Sequence, residues 1–126
     1  MIDGGIDLLF TEVLKENKVF NKCFRKGSFV SCDYITAYYI PNKSPYNRVG
    51  ISVSKKNGNA VQRNRIKRII RAAYRLNEYR FPIGYDIVFA ARNNIIDKKC
   101  GDIERFINKR LLKKMNDFKN DKTKRC

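Results

Sequence analysis

The residues of this chain best suited to chemistry are basic, and the chemistry they favour is phosphate binding. They are concentrated in the run Ser-Lys-Lys-Asn-Gly-Asn-Ala-Val-Gln-Arg-Asn-Arg-Ile-Lys-Arg, from Ser54 to Arg68. Between Asp33 and Glu78 there are ten Lys and Arg residues and no carboxylate. Solvated surfaces ordinarily mix both signs, because like charges repel one another. A long stretch of one sign therefore predicts a polyanionic partner, with nucleic acid as the first candidate.

The whole chain is strongly basic and long enough to form one domain. Its 126 residues carry a formal net charge of +16, and 43% of them are hydrophobic, which predicts a folded protein. An anionic membrane is the competing polyanion, but a membrane-surface helix favours Trp on its apolar side and the chain has no Trp. No stretch has the pattern of a signal peptide or a membrane span, so we expect a cytoplasmic protein that binds no membrane.

The chain has few groups with which to catalyse a reaction by itself. It contains no histidine, the commonest general base. Two-metal nucleases need a tight acidic cluster, whereas the relevant carboxylates here are scattered: Asp33, Asp86, Asp97 and Asp102. Zinc sites need closely spaced ligands, and no Cys-x-x-Cys pair occurs among Cys23, Cys32, Cys100 and Cys126. We therefore predict no catalytic residue, no metal ligand and no small-molecule substrate.

The basic run is predicted to lie on one long helix. Asn59 is a good N-cap, and the helix should extend to about Asn77. Asn64 falls in the middle of its basic side, where neighbouring cations cannot pair with one another. The apolar residues share an arc of about 120°, which predicts that they dock the helix on the rest of the domain: Ile66, Ile69, Ile70, Ala73 and Leu76.

The remaining elements follow from hydrophobic periodicity. A first helix should have Asn17 as its N-cap and Gly27 just past its end. Phe29–Ile40 and Arg48–Ser54 have the alternation of strands, and the continuous apolar run Gly84–Ala91 is typical of a strand buried on both faces. A last helix is predicted over about residues 101–115, with these residues facing the core: Ile103, Phe106, Ile107, Leu111 and Met115.

Two of these stretches closely resemble the signature of the bacterial ribonuclease P protein component family. They are Arg48–Lys56 and Gly58–Arg68, and the second contains the family's hallmark Arg-Asn-Arg at residues 63–65. The resemblance extends to residues 14–27 and 84–92, so that it covers about residues 14–115. The domain boundaries that follow are an N-terminal extension over residues 1–13, a ribonuclease P protein domain over 14–115 and a basic tail over 116–126.

The resemblance implies an α/β fold, an α+β two-layer sandwich in the order αβββαβα, with a four-stranded mixed sheet. The spacing of a strand, a helix and a strand independently favours a parallel pair formed by Arg48–Ser54 and Tyr85–Ala91. The general rule for such a connection is a right-handed crossover, but the resemblance implies a left-handed one. On this point we follow the resemblance.

The resemblance also implies a function. A catalytic RNA, with Mg²⁺ bound through that RNA, removes the 5′ leader of precursor tRNA, and the protein binds both RNAs. The residues that would bind the catalytic RNA are Arg48, Lys55, Lys56, Asn59, Arg63, Asn64, Arg65, Lys67, Arg68 and Arg71. The residues that would line a cleft for the single-stranded leader are Phe20, Phe24, Thr36 and Tyr38. Cations suit the phosphates of a folded RNA, and aromatic rings suit unpaired bases.

Several alternatives stay open at this stage. Phe20 and Phe24 have the i,i+4 spacing of core residues as well as of a cleft wall. Arg48 and Arg92 could contact RNA or form local ion pairs. A shift of one residue in the strand of Thr36 and Tyr38 would move both side chains to the opposite face of the sheet. Charge alone also fits a ribosomal protein or a helix-turn-helix DNA-binding protein, and only the motif distinguishes these.

Overall fold

The computed structural model describes residues 11–116, and its elements follow the predicted order with one addition. The predictions for residues 1–10 and 117–126, which cover most of the extension and the tail, lie outside the described residues. The strands are β1 (Thr11–Val13), β2 (Ser28–Ser31), β3 (Ile35–Pro41), β4 (Asn47–Ser52) and β5 (Tyr85–Ala91). The helices are α1 (Asn17–Lys26), α2 (Ala60–Leu76) and α3 (Cys100–Phe106), the last continuing through a π turn (Ile107–Leu111) into residues 112–116.

The strands form one mixed sheet in the order β1-β4-β5-β3-β2. β4 and β5 are parallel, as predicted, and β3 pairs antiparallel with both β5 and β2. The α+β class is confirmed, but the sheet has five strands and the predicted number of four is wrong. The added strand, β1, lies in the segment predicted as an extension and pairs parallel with β4. A three-residue strand is too short for its own periodicity to reveal it.

The helices lie on both faces of the sheet, so the arrangement has three layers rather than the predicted two. α2 and α3 pack on one face against alternate side chains of the strands, including Ile35, Ile87 and Phe89. α1 packs on the other face, where Leu14, Cys23 and Val88 form a smaller apolar cluster. Because α1 contacts chiefly β3 and β5, part of this second face is left uncovered.

The sequence predictions for α2 hold except at its C-terminal end. Ile66, Ile70 and Ala73 are buried against the sheet, but Leu76 is half exposed and its predicted core role is wrong. Tyr74 takes that place, with its ring centroid 4.7 Å from that of Phe81. The helix ends at Leu76, so the chain turns away before that side chain can reach the core.

The five residues predicted to face the core from the last helix are all buried. Several are spaced four residues apart, and in a regular α-helix each such step advances about 40° around the axis. The π turn contains a wider turn of helix, which offsets this drift and keeps the stripe on one side.

Two smaller predictions are corrected. Glu16, not Asn17, occupies the N-cap position of α1, and Phe29–Ile40 is a hairpin of two strands rather than one extended segment.

Candidate nucleic-acid interface

The start of α2 is fixed by a reciprocal cap. Asn59 Oδ1 accepts a hydrogen bond from the Gln62 amide at 2.9 Å, and Gln62 Oε1 accepts one from the Asn59 amide at 2.8 Å. These bonds satisfy N–H groups that the first turn leaves without helical partners. Asn59, a predicted RNA contact, therefore serves as the N-cap that sets where the basic face begins.

Arg63 and Arg65 are anchored to backbone carbonyls of the protein. Arg63 Nη1 donates to Gly58 O at 2.6 Å. Arg65 donates to Ile96 O at 3.3 Å and to Lys98 O at 2.8 Å, and so connects α2 to the turn that follows β5. A guanidinium has five N–H donors, so these bonds leave donors for a further acceptor while fixing the direction of each side chain. The structure thus gives both arginines a positioning role that the sequence did not predict.

A second group of the predicted contacts is unengaged. Within residues 11–116 these side chains have no hydrogen-bond or ion-pair partner: Lys55, Lys56, Asn64, Lys67 and Arg68. Asn64 and Arg68 are exposed on the outer side of α2, and Lys67 points toward the uncovered face of the sheet. These side chains can bind phosphate without first breaking a bond within the described part of the chain.

Arg48 has a strong partner inside the protein. Its Nε and Nη2 donate to the two carboxylate oxygens of buried Asp86 at 2.8 and 2.9 Å, and Asn42 donates to the same carboxylate at 2.9 Å. The hydrogen bonds to Asp86 raise the pKa of Arg48 above its ordinary value. Of the two alternatives for Arg48, the ion pair is present, and its contact with RNA stays a prediction. Arg92 instead donates to Ser31 Oγ and Cys32 O, at 2.7 and 3.2 Å.

The four predicted leader contacts lie on the α1 face of the sheet. The ring centroids of Phe20 and Phe24 are 6.4 Å apart, and that of Phe24 is 5.0 Å from Tyr38 in an edge-on arrangement. Phe24 is 39% exposed, whereas Phe20 and Tyr38 are partly buried. The rings therefore belong both to the packing of α1 and to an accessible surface, and their contact with the leader stays a prediction.

The uncovered part of this face has a floor of small side chains. Thr36, Ala90 and Ser52 are neighbours in register on β3, β5 and β4, and alternation places them on the same face as Tyr38. Thr36 is nearly buried, and its hydroxyl lies 3.0 Å from Ser31 Oγ. Thr36 and Tyr38 thus share the α1 face, and their contact with the leader stays a prediction. Of these three residues, Ser52 lines a groove on this face, whereas Thr36 is buried.

A groove connects the floor to the basic helix. Its volume is 530 Å³, and its lining includes Phe20, Phe24, Ser52 and Lys67. A smaller groove of 130 Å³ beside it adds Arg71. β1 pairs with only the first three residues of β4, residues 47–49, so the groove passes round the unpaired end of β4. Cations from α2 and aromatic rings from α1 thus meet in one continuous surface.

Sequence reasoning missed three residues of this surface. Asn17 and Asn21 line the groove beside the two Phe side chains of α1, and their position one turn apart on an exposed helix face could have indicated them. Phe29 extends the row of rings, with its centroid 5.9 Å from that of Tyr38. Its position is set by pairing with Tyr38 across the hairpin, which no local pattern reveals.

The described residues contain neither a cluster of metal ligands nor a membrane-spanning helix. Across residues 11–116, no three His, Cys, Asp or Glu side chains come close enough to hold a metal ion. In the same range no helix is both long and apolar enough to cross a bilayer. What this surface offers is positive charge for phosphates and aromatic faces for unpaired bases.

A mixed sheet with a cationic helix at one side and a row of aromatic rings on one face defines a small α+β protein of the RNA-binding class. The sequence profile of the family Ribonuclease P matches residues 10–116, and the chain belongs to this family.

Similar proteins support this assignment at the level of sequence. The chain is 44% identical over 110 residues to the ribonuclease P protein component of Clostridioides difficile, a match that covers 86% of this chain and 96% of that one. It is also 44% identical over 103 residues to that of Pelotomaculum thermopropionicum, covering 82% and 91% of the two chains.

Solved structures of RNase P proteins have a similar fold. The RNase P protein of Staphylococcus aureus superposes with a TM-score of 0.71 at 35% identity, over 79% of this chain and 91% of that one. The RNase P protein of Thermotoga maritima gives a TM-score of 0.69 at 28% identity, over 82% and 94%.

Proposed function

We propose that this chain is the protein subunit of a ribonuclease P holoenzyme, in which it binds the catalytic RNA and the 5′ leader of precursor tRNA. The catalytic RNA removes the leader, and the protein contributes binding. One observation carries the proposal. The unengaged cations of α2 continue, through a groove lined by Lys67, into the aromatic cleft formed by Phe20 and Phe24. A folded RNA at the helix and a single strand in the cleft can therefore be held together.

The two parts of the surface suit different forms of RNA. Lys and Arg on a rigid helix neutralise the closely spaced phosphates of a folded RNA, whose deep major groove side chains cannot read. Aromatic rings on a sheet and a neighbouring helix stack on splayed bases with little sequence preference. The mature tRNA has no leader, so the cleft distinguishes precursor from product.

Mg²⁺ enters this proposal through the RNA. The catalytic RNA would hold the ions that activate the attacking water and stabilise the leaving oxygen. The part played by this chain is charge: the cations of α2 reduce repulsion where two RNAs meet, and so lower the Mg²⁺ concentration needed for assembly. No step is assigned to a metal ion on the protein.

Reconstitution tests the proposal. We expect the isolated protein to leave precursor tRNA intact and, with its cognate catalytic RNA, to restore cleavage at low Mg²⁺. Cleavage by the protein without RNA, or no effect on the catalytic RNA, would contradict the proposal.

The cleft is tested separately with Phe24→Ala. This change should weaken binding of precursor tRNA and leave binding of mature tRNA unchanged, since only the precursor has bases to stack. Equal weakening of both would show that Phe24 serves the fold alone.

A further inference from the structure

Phe29 lies on the edge strand β2 with its ring open to solvent. The side chain is 55% exposed although it belongs to one of the most hydrophobic residue types. It pairs with Tyr38 across the hairpin and shares its face, with ring centroids 5.9 Å apart. Phe20, Phe24, Tyr38 and Phe29 therefore form one row of four rings that runs from α1 to the edge of the sheet.

A cation is fixed beside this last ring. Lys114, from the helix on the opposite face, reaches round the edge of the sheet and donates from Nζ to Phe29 O at 2.8 Å. The same Nζ lies 5.8 Å from the centroid of the Phe29 ring, within the range of a cation–π contact. The hydrogen bond also occupies a carbonyl on the outer edge of β2, which pairs only with β3 among the described strands.

The pair repeats, at the far end of the cleft, the chemistry found at its entrance. At the entrance Lys67 lines the same groove as Phe20 and Phe24, and at the edge Lys114 lies beside Phe29. Single exposed apolar residues are normal on protein surfaces. Tyr79 is such a residue, 69% exposed and in contact with Arg80, but outside the row of rings. Phe29 differs because it continues an aromatic surface and has its own fixed ammonium.

We propose that Phe29 and Lys114 form an additional nucleotide-binding subsite for the 5′ leader, in which the ring stacks on a base and the ammonium neutralises an adjacent phosphate. This inference rests on the proposed function of the cleft. It extends the leader path from the groove at β4 across β5 and β3 to β2, and it names the nucleotides involved. Since α2 binds the catalytic RNA, where cleavage occurs, the nucleotides that reach β2 are those farthest from the cleavage site.

The size of the sheet sets how long a leader must be to reach the subsite. From β4 to β2 there are three inter-strand steps of about 4.8 Å, or about 14 Å in all. At about 3.4 Å per stacked nucleotide this distance takes roughly four nucleotides. A leader of about three nucleotides should therefore end before Phe29, and one of about eight should pass it.

The experiment compares these two precursor tRNAs in the holoenzyme reconstituted with its catalytic RNA. Equilibrium dissociation constants are measured for the wild-type protein, Phe29→Ala, Phe29→Leu and Lys114→Gln, with Tyr79→Ala as a matched exposed-aromatic control. Phe29→Leu keeps apolar bulk at a solvent-exposed position and removes only the aromatic face. Phe24→Ala reports on the cleft itself.

We expect both Phe29 variants to weaken binding of the long-leader precursor by about fivefold or more, the scale of one lost base–aromatic stack. The short-leader precursor should bind as tightly as to wild type. Lys114→Gln should weaken the long-leader complex and lower the slope of log affinity against log salt by about one phosphate contact. Tyr79→Ala should change neither constant.

Equal binding of the long leader by wild type and Phe29→Leu, with a loss in Phe24→Ala, would overturn the subsite and leave the cleft in place. No loss in either variant would overturn the cleft as well. Equal losses with short and long leaders in Phe29→Leu would also overturn the subsite, because they would show a general effect on the fold.

Discussion

The ring of Phe20 lies directly over Gly50, on the α1 face of β4. A Cβ atom added at residue 50 would come 2.5 Å from Phe20 Cζ and 2.8 Å from Phe20 Cε1, closer than any stable contact. Phe20 also lines both grooves that lead to α2. The absence of a side chain at Gly50 therefore sets the height of this ring above the sheet, and with it the shape of the cleft entrance.

Gly50→Ala should displace the Phe20 ring and weaken binding of precursor tRNA by about 1–3 kcal/mol, the scale of a lost base stack. Binding of mature tRNA should not change. Gly101→Ala is the matched control, since nothing lies within 4 Å of a Cβ at that position. Dissociation constants measured with the reconstituted holoenzyme check the prediction, and unchanged precursor affinity in Gly50→Ala would contradict it.

Variants of Arg65 and its neighbour Asn64 should distinguish contact with RNA from the positioning of α2 within the protein. Arg65→Ala should weaken binding to the catalytic RNA by about 1–3 kcal/mol, as for a lost charge-assisted contact. It should also lower the melting temperature, because the bonds to Ile96 O and Lys98 O are lost. Asn64→Ala should weaken RNA binding and leave the melting temperature unchanged. Filter binding at moderate salt and thermal unfolding measure the two effects, and identical behaviour of the two variants would contradict this separation.

Arg48→Met should destabilise the protein. The change leaves the Asp86 carboxylate buried without its bidentate partner. Because the Arg48 side chain is itself 32% exposed, the cost should be about 1–3 kcal/mol, the scale of a buried acceptor left without its partner. Urea titration measures the free energy of unfolding. The double variant Arg48→Met with Asp86→Leu should recover part of the loss, because it removes the unpaired charge. A double variant less stable than Arg48→Met would argue against this account.

The Cys23 thiol should make the free energy of unfolding depend on pH in the alkaline range. Burial, with a further contribution from the Asp86 carboxylate, raises the pKa of this thiol from 9.0 to about 11. In the unfolded chain the thiol ionises near pH 9, whereas the folded protein keeps it neutral, so the unfolded state binds fewer protons in this range. The free energy of unfolding should therefore fall as pH rises from about 9 to about 11.

The control for this effect is Cys23→Ala. It should be less stable than wild type at neutral pH but lose less stability as pH rises above about 9. Tyr74, whose pKa burial raises to about 12, adds a similar decline above pH 10.0 in both proteins. Parallel stability curves for wild type and Cys23→Ala below that point would show that the thiol does not contribute.

Sequence patterns within single elements were enough to predict most helices and strands, but not the contacts between them. The N-cap Asn59 and the apolar stripe through Ile66 and Ile70 depend on spacing within one helix, so the sequence predicted them correctly. Whether Tyr74 or Leu76 completes that stripe depends on where the helix ends. β1 depends wholly on pairing with β4, and it was missed for that reason.

The residues of the candidate nucleic-acid interface also divide into those set by one helix and those set by contacts between elements. The sequence placed Asn64 at the centre of the basic side because helical geometry alone decides it. It could not show that Arg65 reaches the carbonyls of residues 96 and 98, because that turn is more than thirty positions away in the chain. Phe29 belongs to the row of rings because the hairpin register places it opposite Tyr38, and this pairing is not visible in the local sequence.

The order of strands has a consequence for how the chain folds during synthesis. β3 and β4 follow one another in the sequence, yet β5 lies between them in the sheet. A nascent chain that ends before residue 85 therefore holds two strands that cannot pair with each other in the native arrangement, and the long-range pairing they await is intrinsically slow. The basic helix α2 is complete by then but has no finished sheet to dock on. The basic face of α2 is therefore held in place only after β5, and then α3, have followed it in the chain.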